Sequence, residues 1–306
     1  MKLIYIVKQD NDSYEMEERF TKEIIVHNDM LLKKYYKARH LEGLSPYTLD
    51  SYMRYLRVLS RNVGKKFEEM NTSNIRDFLI SYKEDRNLSD YSLDGIRLMF
   101  NAFFTFLEDE DYIKRSPMRK IKRIKAQANV RVPFTDEEMV KIRDVCKNSK
   151  ERALIDFLYE TGCRVSEVVS LDIDDIDFDS REIIVCGKGK KERLVFFGPN
   201  TKVHLEQYLQ ERKDGKSPLF VQDKFPNDRM SRFGVEFLVK DIGKRAGVYD
   251  CYPHKFRRTL ATRLLEKGMA IEQVKEVLGH TSIETTLVYA KVNKNDVKNN
   301  HRKHLA

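Results

Sequence analysis

Glu182-Ile-Ile-Val-Cys-Gly-Lys-Gly-Lys-Lys-Glu-Arg-Leu-Val-Phe-Phe197 carries the one clear β signal in the chain. Two short runs of β-branched and aromatic residues flank a tip of glycines and lysines, which is the pattern of a hairpin. Just upstream, Asp172, Asp174, Asp175, Asp177 and Asp179 crowd together. They lack the glycine and closing glutamate of a calcium loop, so they read as a turn into the first strand, with no metal. Further upstream, Arg152–Tyr159 forms an apolar helix that stops at Gly162, and Thr135-Asp-Glu-Glu-Met opens another with acids in its first turn. Helical patterns return from about Ser231 to the end. The expected class is mostly α with a small β-hairpin or sheet (α+β).

The N-terminal half reads as helix throughout. Ser45-Pro-Tyr-Thr-Leu offers an N-cap and a first-turn proline, followed by Tyr52, Tyr55, Leu56 and Leu59 at helical spacing. Thr72-Ser-Asn-Ile starts a second helix, and Ser89–Leu107 a third with Leu93, Ile96, Phe100, Phe103, Phe104 and Leu107 on one face. That aromatic stripe reads as bundle core and not as a base-stacking platform.

A chain of 306 residues suggests two domains, and 41% hydrophobic residues supply real cores, so wholesale disorder is excluded. No apolar run approaches the roughly 18 residues of a membrane span, and the patch Leu3–Val7 is too short for a signal peptide. Together these predict a soluble, cytoplasmic protein with no membrane partner. The scattered Cys146, Cys163, Cys186 and Cys251 read as reduced thiols.

Charge divides the chain. Residues 1–30 hold 4 basic against 7 acidic residues, whereas residues 31–128 hold 20 against 13. The expected division is an acidic leader over 1–30, a helical domain over 31–117, a basic interdomain linker over 118–132, and a second domain with its tail over 133–306. Within the linker, Arg119, Lys120, Lys122, Arg123 and Lys125 follow Pro117 with no acid between them. Such a strap either lies along a phosphate backbone or is a solvated connector.

Five places in the second half hold residues suited to a phosphate. Arg164 lies at an expected helix start, where an anion is favoured and a guanidinium adds a fork. Lys188 stands between two glycines at the hairpin tip. His254 and Arg257 share a helix face three residues apart. His280 is pinned between a helix ending at Gly279 and a capping box, Thr281-Ser-Ile-Glu284, and Tyr289 follows about two turns later. Taken singly, each has a dull explanation: a salt bridge, a structural histidine, a packed tyrosine. Their joint order carries more.

That order, with the stretches T-G-C-R-V-S-E-V-V-S-L, G-K-G-K-K-E-R, P-H-K-F-R-R-T-L-A-T-R-L-L and L-G-H-T-S-I-E-T-T-L-V-Y, resembles the tyrosine recombinase (phage integrase) family over about residues 40–292. The resemblance implies a helical, SAM-like core-binding domain followed by a tyrosine recombinase catalytic domain. It implies that Arg164 and Arg257 bind the scissile phosphate, Lys188 is the general acid, His254 and His280 position and exchange protons, and Tyr289 is the nucleophile. Glu167 would hold this architecture from beneath. Lys190 and Lys191 share the tip with Lys188 and remain alternatives. The implied enzyme needs no cofactor: two guanidinium forks and the imidazoles can neutralise the phosphoryl charge without a metal, and a phosphotyrosyl link keeps the energy of the broken bond, so rejoining needs no ATP.

The implied partners are double-stranded DNA with an inverted-repeat site and three further copies of the chain, exchanging strands through a Holliday junction. The tail after Tyr289 would dock on a neighbouring protomer. Rival readings are a DNA-binding regulator on the same fold and a type IB topoisomerase-like relaxing enzyme. An Xer-type dimer resolvase and an integrase or transposase of a mobile element fit equally, and the acidic leader tips slightly to the latter.

Overall fold

The structure, a computed structural model, describes residues 11–125, 132–187, 192–280 and 282–287, and of residues 11–21 and 285 the backbone alone. Lys188, Lys190, Lys191, Tyr289, the tail and the second half of the linker lie outside the described residues. The chain divides into two compact units, residues 1–130 and 131–306.

The first unit is helical: α1 (Asn11–Leu41), α2 (Pro46–Val63), α3 (Thr72–Arg86) and α4 (Asp90–Asp109). Local chemistry starts these helices. Ser45 and Ser89 accept the N–H groups of Thr48 and Ser92 as N-caps, and Asn71 and Asn74 form a reciprocal capping box ahead of α3. The aromatic stripe of α4 is core: Phe103 meets Tyr35 edge-on at 5.2 Å and Phe67 at 4.7 Å, and all three rings are fully buried. Each such ring contributes about 1.5–3 kcal/mol relative to exposure.

Two features differ from the charge-based reading. Residue 30, the expected end of the leader, falls inside α1, and Ile24 and Asn28 from the leader are buried. Asn28 donates to Ser60 Oγ (2.7 Å) and Lys65 O (2.9 Å) and accepts from Phe67 N (3.0 Å), fastening α1 to the end of α2. The described part of the basic strap is also tied to this unit. Met118 is buried, Ile121 and Ile124 pack on the core, and Ile124 N donates to Asp94 (2.9 Å). Its basic side chains, Arg119, Lys120, Lys122, Arg123 and Lys125, remain exposed.

The second unit comprises α5 (Asp136–Asp144), α6 (Ser149–Thr161), α7 (Val165–Ser170), β1 (Ile176–Asp177), β2 (Glu182–Cys186), β3 (Glu192–Phe196), α8 (Pro199–Glu211), α9 (Arg232–Arg245), α10 (Pro253–Glu266), α11 (Ile271–Leu278) and α12 (Ile283–Leu287). The strands form an antiparallel meander in the order β1-β2-β3, with Ile183 opposite Val195. Ile183, Val185 and Val195 turn to the core, while Ile184, Leu194 and Phe196 face out, as period-2 alternation requires. The core is built on α6, where Leu154, Ile155, Phe157 and Leu158 are fully buried. The acidic run becomes a 3₁₀ turn and β1, with Asp172 paired to Arg229 and Asp177 accepting the N–H groups of Asp179 and Ser180.

Helix α8 has no counterpart in the sequence reading, which resumed helix only at Ser231. Its buried stripe is thin, Thr201, Leu205 and Tyr208, while Val203 is 57% exposed and blurs the period. No helix among the described residues is long and apolar enough to cross a membrane.

Candidate active site

Two glycine-ended helices and a short one bring the candidate residues together. Gly162 closes α6 with φ +59°, and a Cβ there would lie 2.8 Å from Leu260 Cδ2, so both backbone and space call for glycine. Arg164 follows as the N-cap residue of α7, which places Glu167 on its first turn. Helix α11 ends at Gly279 with φ +60°, and the His280 N–H bonds back to Lys275 O (3.1 Å). His280 Nδ1 and Thr286 Oγ1 form a 2.8 Å hydrogen bond that fixes the ring against α12.

Three arginines from three elements meet at the end of α11. Arg193 Nε donates to Val277 O (3.1 Å), Arg257 Nη2 to Leu278 O, and Arg164 Nη2 to Gly279 O (3.0 Å). Three consecutive carbonyls at the helix end, where intrahelical partners run out, are thus each taken by a guanidinium. Arg257 also donates to Gly162 O (2.6 Å), tying the ends of α6 and α11 to α10. Beneath them sits Glu167, 2% exposed. Arg193 grips it through both arms (2.6 and 2.8 Å), and Arg164 through Nη1 (2.8 Å) and its own backbone N–H (2.7 Å).

The electrostatics follow. Burial alone would raise the Glu167 carboxyl, but the hydrogen bonds and charges of Arg193 and Arg164 outweigh it and hold the group down to about 2. His280 is lowered to about 4, first by burial and then by Arg257, Arg164 and Arg193. His254, whose residue surface is solvent-exposed, is lowered too, by desolvation against its neighbours and then by Arg257, Arg164 and Arg258. The same arginines thus act on both imidazoles, and their cationic field favours an arriving anion. Burial pushes the Cys163 thiol up to about 11, so it is no nucleophile.

A pH test follows directly. The folded chain keeps His280 neutral down to about pH 4, while the unfolded chain takes up that proton near 6.5. The unfolded state binds more protons between these values, so stability climbs with pH across the window. His280→Asn is expected to flatten that climb by on the order of 1–2 kcal/mol, allowing for solvent reaching the ring. Denaturant unfolding at pH 4.5, 5.5 and 7 checks this, and an unchanged slope would contradict it.

The structure thus brings Arg164, Glu167, His254, Arg257 and His280 into one cluster. Lys188 and Tyr289 lie outside the described residues, and Arg119, Lys120, Lys122, Arg123 and Lys125 belong to the first unit. The sequence reading missed Arg193 and Thr286. For Arg193 a signal existed: its position on β3 shares the core-facing register of Val195, and an inward arginine in a strand needs a buried acid.

Residues 120–296 match the Phage integrase family, and residues 31–114 match Phage integrase, N-terminal SAM-like domain. Over 279 residues the chain is 34% identical to the tyrosine recombinase XerA of Pyrococcus horikoshii, covering 90% of this chain and 93% of the relative. It is 33% identical over 278 residues to the tyrosine recombinase XerC of Oceanobacillus iheyensis, covering 86% and 91%. Its fold is similar to that of the Tn1549 transposon integrase solved with a circular intermediate DNA, with a TM-score of 0.75 at 20% identity over 90% of this chain and 98% of that one. With matches running through both units, the chain belongs to the phage integrase family and is a tyrosine recombinase of the Xer/integrase type, a DNA strand-transferase.

Proposed function

We propose that the chain cleaves and rejoins duplex DNA at a specific inverted-repeat site through a 3′-phosphotyrosyl intermediate, with no metal, cofactor or ATP. The Tyr289 oxygen attacks the scissile phosphorus, the bond to the 5′-oxygen breaks, and Lys188 (or Lys190) delivers a proton to that leaving oxygen. Arg164 and Arg257 neutralise the charge that builds on the non-bridging oxygens, and His254 and His280 hold the phosphate and exchange protons. Glu167 keeps Arg164 in place. The freed 5′-hydroxyl of a partner strand then reverses the step, so four protomers exchange strands through a Holliday junction, with the C-terminal tail docked on a neighbour. The observation that carries this reading is the meeting of Arg164 and Arg257 on consecutive carbonyls, Gly279 O and Leu278 O, at the glycine joint that bears His280.

Covalent capture tests it. The chain is incubated with total DNA from the source cell, quenched with detergent, and the DNA ends left on protein are sequenced. Adducts concentrated at one inverted repeat support the proposal, and their genomic place separates dimer resolution from integration or excision. Retained DNA binding without adducts would favour a regulator.

The strap is proposed to contact DNA phosphates. Neutralising Arg119, Lys120, Lys122, Arg123 and Lys125 together is expected to weaken binding to all sequences. The salt dependence should flatten by roughly one unit of slope per lost contact. Titrations between low and moderate salt measure this, and an unchanged slope would make the strap a connector only.

A further inference from the structure

Arg193 stands on β3 in the register that faces the core, with its side chain 10% exposed. A guanidinium taken out of water is costly unless its donors are used. Here three of its nitrogens are: Nη1 and Nη2 on the two oxygens of Glu167, and Nε on Val277 O. A two-armed grip sets the plane of the carboxylate as well as its place. The same two oxygens then receive Nη1 and the backbone N–H of Arg164, so the orientation Arg193 imposes on Glu167 is passed to Arg164.

The other end of Arg193 acts on α11. It holds Val277 O, one residue before the carbonyl taken by Arg257 and two before that taken by Arg164. Its stem fills the space beside Gly279, where a Cβ would lie 2.6 Å from Arg193 Cδ. The joint that carries His280 is thus built around this side chain. Arg193 is also the second residue of β3, the strand that follows residues 188–191 in sequence. One residue therefore ties the strand after the tip, the carboxylate under Arg164 and the turn bearing His280 to each other.

We propose that Arg193 is a positioning residue for strand cleavage, presetting Arg164 and His280 for the scissile phosphate through Glu167 and the end of α11. This role rests on the strand-transfer reading above. A residue with only a structural role would change how much folded protein exists and leave the rate per bound, folded molecule alone. A positioning residue changes that rate.

The test compares the full chain with Arg193→Met, which deletes the fork, and Arg193→Lys, which keeps the charge without the fork. A duplex carrying the captured site is the substrate. Thermal unfolding, equilibrium DNA affinity and single-turnover adduct formation at saturating DNA are measured for each. DNA affinity is expected to stay within about 3-fold, while the single-turnover rate falls about 10- to 100-fold in both variants, the scale of a lost charge-assisted bond pair. Glu167→Gln should lose a similar factor, and Arg193→Met combined with Glu167→Gln little more than either alone.

Losses that multiply in the double variant, or a loss in affinity with the rate intact, overturn the positioning role. If Arg193→Met does not fold, a wild-type rate in Arg193→Lys overturns it equally. A wild-type chain that forms no adduct overturns the strand-transfer reading itself, and this role with it.

Discussion

Tyr289→Phe is expected to bind duplex DNA as tightly as the unchanged chain and to yield no covalent adduct. The substitution keeps the ring and deletes only the oxygen proposed to attack phosphorus. A tyrosine hydroxyl has an ordinary pKa of about 10, so it must lose its proton to or near the cationic cluster as it attacks. The arginines are no nucleophiles, and burial pushes the Cys163 thiol up to about 11, so neither is expected to replace that oxygen. Denaturing gels of end-labelled site DNA read the result. Adducts from the phenylalanine variant would remove Tyr289 from the nucleophile role. A DNA-binding regulator on the same fold predicts no adduct from either protein, and a type IB-like relaxing enzyme predicts adducts without site preference.

Arg257→Met should cause the second large change, and in two quantities at once. Arg257 is 3% exposed and donates to Gly162 O and Leu278 O, the ends of two helices. Its removal leaves both buried carbonyls without those partners, at about 1–3 kcal/mol each, so stability should fall by about 2–6 kcal/mol. Strand cleavage should fall by about 10³-fold if Arg257 also neutralises the developing charge as proposed, because a preorganised donor is then lost. Arg257→Lys is not a conservative rescue, since one ammonium cannot span two carbonyls and still present a fork. Arg164→Met offers the contrast. Its side chain is 29% exposed, so a similar rate loss should come with a smaller loss of stability. Thermal unfolding paired with single-turnover cleavage separates the two effects, and full stability in Arg257→Met would contradict the carbonyl-bridging role.

Much of the fold was readable because its signals are local. Ser45, Ser89 and Thr135 each cap a helix through contacts three residues away, and Gly162 and Gly279 end helices in the left-handed conformation. The hairpin declared itself through two apolar runs around a tip rich in glycine and lysine. Helix α8 escaped because an exposed Val203 breaks its apolar stripe, and the leader boundary at residue 30 falls inside α1 because a change in net charge does not follow the helical period. Neither miss reflects odd chemistry. Both helices are held by burial against distant partners, which no short window reports.

The site divides along the same line. The sequence by itself picked out Arg164, His254, Arg257 and His280 as candidates and determined the local frames that hold them: an N-cap at Arg164, one helix for His254 and Arg257, a glycine joint for His280. Only the tertiary structure decided how they are held. Arg164 reaches a carbonyl 115 residues away, and Arg193 reaches one 84 residues away while gripping Glu167. The physical reason is that capping and periodicity act within four residues, whereas a buried guanidinium needs whichever oxygens the packed core brings to it.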